Sequence, residues 1–234
     1  MIYQIDFLML SLELSAIVID FLLGIVLLLK TLKIEGTQRQ KYYIGVIGFF
    51  LVHGSCRLIF FVRRFFPGNV LMFDVGTILG LSSVVLLVVA IESLVYTKSK
   101  HFFSFLGIGA FFVQVIDIFA QQTYFGYRLL LWVHYFVTST LAVFIIFVYL
   151  TAVLKSTGAI RTNAILMLTA IVLFALSELA NARLANELIP GVNYIGAILM
   201  VASLILLYIA VMNLSVWKRS EETGKMKTIE KSKP

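Results

Sequence analysis

The sequence predicts an all-α membrane protein: a seven-transmembrane-helix bundle with its N-terminus outside and its C-terminus inside. Three observations lead there. Of the 234 residues, 61% are hydrophobic and only 13% charged, and the mean hydropathy is +1.01, whereas a soluble domain carries about 25% charged residues. Seven apolar runs each reach the roughly 20 residues that a helix needs to cross a hydrocarbon core about 30 Å thick. Every lysine falls on the same side once those runs are drawn as spans.

The runs cover about 7–30, 42–65, 70–96, 102–121, 128–154, 161–181 and 190–215, forming one transmembrane domain over 1–215. The first run lacks the basic n-region of a cleaved signal peptide and is expected to stay as the first helix. Phe66-Pro67-Gly68-Asn69 reads as a tight turn between the second and third runs. Pro190 suits the first position of the last helix. Residues 216–234 read as a basic cytoplasmic tail that anchors to an anionic lipid surface. Lys30, Lys33, Lys41, Lys98, Lys100 and Lys155 share that side with the tail lysines, which places it inside by the positive-inside rule.

A charge inside a spanning helix costs at least about 2.5–3.5 kcal/mol on insertion scales, so it tends to face the bundle interior and a partner. Asp6, Glu13 and Asp20 recur every seven residues and make one acidic stripe on the first helix. His53, Arg57 and Arg64 make one basic stripe on the second. Counted inward from the outer ends at about 1.5 Å per residue, Asp20 matches His53 in depth, Glu13 matches Arg57, and Asp6 matches Arg64. The expectation is a structural charge ladder between two antiparallel neighbours.

Further polar groups lie toward the same end: Asp74, Asp117 with Gln114 and Gln121, His134 with Thr138, Glu178 with Asn181, and Asn193 with Tyr194. Asp20, His53, Arg57, Asp74, Asp117, His134 and Glu178 are therefore the candidate ligand- or proton-binding residues of an externally open polar pocket. The same groups also suit interhelical hydrogen bonding alone. Glu92 stands apart, near the inner end of the third helix, where Lys98, Lys100 and Lys155 are expected to neutralise it. Gly76 and Gly80, with Gly45, Gly48, Gly107 and Gly109, point to close helix packing.

Several chemistries drop out. Cys56 is the only cysteine, so there is no intrachain disulfide and no Cys/His zinc spacing. No phosphate-binding or hydrolase motif occurs, and no catalytic residue, cofactor or metal is expected. Two interruptions that mark many transporters, proline breaks and paired repeats, are missing from the spans.

The stretch Ser55-Cys56-Arg57-Leu58-Ile59-Phe60-Phe61-Val62-Arg63-Arg64-Phe65-Phe66, with Ile91-Glu92-Ser93-Leu94-Val95-Tyr96-Thr97-Lys98-Ser99-Lys100, resembles uncharacterised archaeal multi-helix membrane proteins. That resemblance implies no particular activity. In helix count and orientation the chain also resembles opsins and receptors, but no span holds the interior lysine that retinal attachment requires. The expected function is a membrane sensor or receptor-like protein, non-enzymatic, for a small ligand or proton. The alternatives are a proton- or ion-coupled small-solute transporter and a non-catalytic accessory subunit. Expected partners are the lipid bilayer, a small molecule, and a membrane or cytoplasmic protein at the inner loops and tail; nucleic acid is not among them.

Overall fold

The computed structural model describes residues 7–31, 37–66, 68–120, 126–181, 188–189 and 191–231, with side chains described over 7–31, 40–66, 68–116, 132–181, 188–189 and 191–213. Among the described residues there are seven α-helices: α1 (Phe7–Thr31), α2 (Thr37–Arg63), α3 (Val70–Leu94), α4 (Phe102–Ala120), α5 (Gly126–Lys155), α6 (Gly158–Asn181) and α7 (Val192–Lys231). Among the described residues six are long and apolar enough to cross a membrane, and the described apolar part of α4 is Phe102–Ile116. Six of the seven expected spans thus meet the length requirement outright. α7 continues through the basic segment to Lys231.

The turns follow from residue type. Gly68 adopts φ +98° between α2 and α3, and Asn69 caps α3 by accepting a 3.0 Å hydrogen bond from the Met72 amide. Pro67 and Pro190 lie outside the described residues. Lys100 and His101, both at positive φ, reverse the chain after the single 3₁₀ turn Thr97–Ser99 and launch α4.

Each helix packs on its neighbours in sequence, α7 closes against α1, and α3 also touches α5, so the helices form a ring. Its burial pattern inverts that of a soluble protein. Asp20 and Gln114 are fully buried, while Phe136 is 71% and Phe105 69% exposed. An outer wall of phenylalanine, leucine and valine around buried acids and amides fits a lipid solvent. The chain is a multi-helix integral membrane protein.

Glycines set the α2–α3 distance. A Cβ on Gly45 would lie 2.8 Å from both the Leu86 carbonyl oxygen and the Ala90 Cβ, and one on Gly76 would lie 2.8 Å from the Phe60 ring. The Gly76/Gly80 pair therefore serves packing of α3 on α2 within the chain. Gly109 meets nothing within 4 Å.

Glu92 requires a correction. No lysine pairs with it among the described residues. Instead it is buried against the start of α4, where its carboxylate accepts the amides of Phe103 at 3.1 Å and Ser104 at 2.8 Å and the Ser104 hydroxyl. A helix N-terminus offers unpaired N–H groups and a partial positive charge, so it holds a buried carboxylate without a side-chain cation. Glu92→Ala is expected to lower stability by about 1–2 kcal/mol, the range for losing a helix cap. Thermal unfolding in detergent measures the loss, and a variant as stable as wild type would contradict the role.

Candidate functional site

The end of the ring that carries the α2–α3 turn is taken here as the upper end. Near mid-depth, Asp20 of α1 meets His53 of α2, with Nδ1 2.8 Å from Oδ2 and both side chains buried. This rung matches the sequence expectation. His53 lies flat on Phe49, with ring centroids 5.5 Å apart and 10° between planes, and it also touches Phe174 of α6 at 5.1 Å. Phe49, His53 and Phe174 make an aromatic floor across the ring interior.

Above the floor the ladder departs from the expected pairing. Glu13 pairs with Arg64, not Arg57, and Arg57 instead crosses the ring to Glu178 of α6 at 3.3 Å. Side chains on a helix lean toward its N-terminus. With Asp20 level with His53, seven residues up α1 brings Glu13 level with Phe60, between the two arginines. Since α1 and α2 are antiparallel, Glu13 leans up toward Arg64, while Arg57 leans down and away from it. Asp6, the expected partner of Arg64, lies outside the described residues.

These groups surround a cavity of about 430 Å³. Glu13, His53, Arg57 and Arg64 come from α1 and α2, and Thr77, Gly80 and Ser83 from α3. His134 and Thr138 come from α5, and Glu178, Asn181 and Asn193 from the upper ends of α6 and α7. His134 also lies 2.7 Å through Nδ1 from the amide nitrogen of buried Gln114; with that nitrogen as donor, the ring carries its own proton on Nε2. Cys56 lines the wall and donates its thiol hydrogen to the Gly76 carbonyl at 3.2 Å.

Of the candidates, His53, Arg57, His134 and Glu178 line this cavity, and Asp20 supports it from behind His53. Asp74 is buried in the first turns of α3 but is not among the lining residues. Asp117 belongs to α4, and its side chain lies outside the described residues. Tyr194 is not part of the lining either, whereas Asn193 is.

Sequence reasoning did not identify Cys56, Thr77, Gly80, Ser83 or Phe174 as wall residues. A signal existed for α3: Gly76, Thr77, Gly80 and Ser83 recur at helical spacing, and small residues on one face leave room beside a neighbouring helix. It also did not anticipate a second chamber of about 220 Å³ beneath the first, lined by Ser139, Ala142 and Ile145 of α5 and by Ala170, Ile171 and Ala175 of α6, among others. Val84, Thr138, Phe174 and Glu178 line both chambers.

The upper chamber can bind and exchange charge. Two arginines and two glutamates line it, and each ion pair has one member largely withdrawn from solvent and one half-exposed: Arg57 13% against Glu178 51%, and Glu13 13% against Arg64 46%. Among the described residues no three histidine, cysteine, aspartate or glutamate side chains converge as metal ligands. No protein-family model matches the chain, and neither a curated protein nor a solved structure is significantly similar to it.

Proposed function

We propose that this integral membrane protein is a receptor-like sensor whose upper chamber, opening at the outer face of the cell membrane, takes a small polar ligand or a proton. The observation that carries this reading is the 430 Å³ cavity at one end of the ring, bounded by two arginines and two glutamates from α1, the upper end of α2 and α6. Binding that replaces the Arg57–Glu178 contact removes a tie between α2 and α6, and a change in a tie between packed elements is how a bound ligand biases two helix arrangements. The signal then leaves by the short inner loops and the helical extension of α7. The lysine distribution supports the outside assignment of the upper end, since Lys30, Lys41, Lys98, Lys100 and Lys155 all lie at the lower one.

The closed lower half favours sensing over transport. Beneath the aromatic floor, Tyr42, Phe50, Val88, Leu141, Met167 and Leu204 are fully buried. A transporter needs access from both faces in turn.

Thiol labelling in intact cells tests both parts. In a Cys56→Ser background, Thr138→Cys is expected to react with a small membrane-impermeant thiol reagent added outside, more slowly than Asn69→Cys at the upper turn. Val88→Cys is expected not to react. Protection of Thr138→Cys and Asn69→Cys until the cells are permeabilised would refute the outer mouth, and a reactive Val88→Cys would replace sensing by transport.

A further inference from the structure

The two chambers differ in chemistry and share a boundary, and this constrains what fits them together. The lower one is lined mainly by alanine, leucine, isoleucine, valine and phenylalanine, with Thr138, Ser139, Glu178 and Ser203 among them, and the upper one carries the two ion pairs. A polar solute fills only the upper chamber, whereas a molecule with a charged head and an apolar tail satisfies both.

Access is the second constraint. Ser139 of α5 and Ala175 of α6 line the lower chamber and are both exposed. The two helices are antiparallel and joined by a short link near residues 156–157, so residues 138–139 and 175 stand at one level. Counted from the lower end of α6, Ala175 is about 26 Å up, within the hydrocarbon region. With small side chains on both helices at that level, a passage between α5 and α6 into the lower chamber would meet acyl chains.

The sign of the head follows from Arg57. Its guanidinium has five N–H donors, yet among the described residues it makes one side-chain hydrogen bond, and at 3.3 Å that bond is longer than the roughly 2.7–2.9 Å of a good charge-assisted contact. Its partner Glu178 sits at the boundary of the two chambers and is half-exposed, so it can turn outward while the withdrawn guanidinium cannot. A ligand carboxylate at that boundary can take the guanidinium with two parallel hydrogen bonds in place of Glu178.

We infer that the ligand is a single-chain anionic amphiphile, a medium-chain carboxylate, which enters from the bilayer between α5 and α6 with its head on Arg57 and its tail in the lower chamber. This deepens the sensing role and rests on it. At about 30 Å³ for each water-sized group, 220 Å³ holds roughly seven methylenes. Octanoate, with seven carbons beyond its carboxylate, is the matching probe.

The test uses the full chain in phosphatidylcholine nanodiscs, with Ala142→Cys in a Cys56→Ser background and a small thiol reagent. Octanoate is expected to slow labelling about tenfold, whereas acetate, which has the head alone, and octyltrimethylammonium, which has the opposite charge, leave the rate unchanged. Arg57→Gln is expected to raise the half-protecting octanoate concentration about tenfold or more, the loss of one charge-assisted hydrogen bond. Glu178→Gln, at an exposed position that folding tolerates, is expected to lower it severalfold, because the competing carboxylate is gone. Failure of octanoate to protect in a chain whose Thr138→Cys still labels would overturn the amphiphile and leave the sensing chamber standing. Equal protection by octyltrimethylammonium would overturn the anionic head, and octanoate affinity unchanged in both Arg57→Gln and Glu178→Gln would do the same. Protection by acetate would overturn the role of the lower chamber.

Discussion

His53→Leu is expected to destabilise the bundle by about 3–5 kcal/mol, the range for stranding one member of a buried ionic pair. Asp20 is completely buried, its Oδ2 has the His53 ring nitrogen at 2.8 Å, and its Oδ1 makes no hydrogen bond among the described residues. With the imidazole gone, the carboxylate has neither water nor a donor. Relieving it requires part of α1 to open. Asp20→Asn is close in shape and keeps an amide that can hydrogen-bond the ring, so alone it is expected to cost about 1 kcal/mol, near the net worth of one hydrogen bond.

The decisive measurement is the combination. In the His53→Leu background Asp20→Asn should raise stability, because it removes a stranded charge, whereas in the wild-type background it should lower it. Unfolding in mixed detergent micelles reads all four chains of the cycle. Additive effects with no change of sign would show that the two side chains do not act as a pair.

Gly45→Leu is expected to prevent accumulation of folded protein. The Cβ alone would stand 2.8 Å from the Leu86 carbonyl oxygen, and backbone cannot rotate away as a side chain can. Gly45→Ala should therefore already cost about 1–3 kcal/mol, the usual range for overpacking. At Gly107 the nearest atom is Val85 Cγ2, a side-chain end, so Gly107→Ala should be milder. Gly109 faces open space, and Gly109→Ala should be neutral or slightly stabilising through helix propensity. Thermal stability of the three alanine variants gives the ranking, and equal values would refute it. The function depends on this spacing as well, because α2 carries His53, Arg57 and Arg64 while α3 supplies the opposing wall of Thr77, Gly80 and Ser83.

How far the site could be read in advance varied from residue to residue. The Asp20–His53 pair was legible because both residues sit on neighbouring antiparallel helices at equal depth. Glu13 was placed on the correct face and given the wrong arginine. Its level falls between Arg57 and Arg64, and counting residues does not register the lean of each side chain toward its own helix N-terminus. Arg57–Glu178 was not legible at all: 121 residues separate the partners, and only the closed ring sets α2 opposite α6. Glu92 was misread for a related reason. Its lysine neighbours are close in sequence, while its partners are backbone amides that no side-chain pattern advertises.

By itself the sequence determined that the chain is a helical, multi-span membrane protein, roughly where its apolar helices lie, and which faces carry charge. Those properties come from each segment's own balance between water and hydrocarbon and from a fixed rise and rotation per residue, so they add along the chain. Tertiary structure alone decided that Glu13 meets Arg64 and Arg57 meets Glu178, that small residues on α3 leave a polar chamber beside α2, and that an apolar chamber continues it toward α5 and α6. Those outcomes depend on the spacing and order of helices around the ring, and a few ångströms of approach at residues such as Gly45 set them.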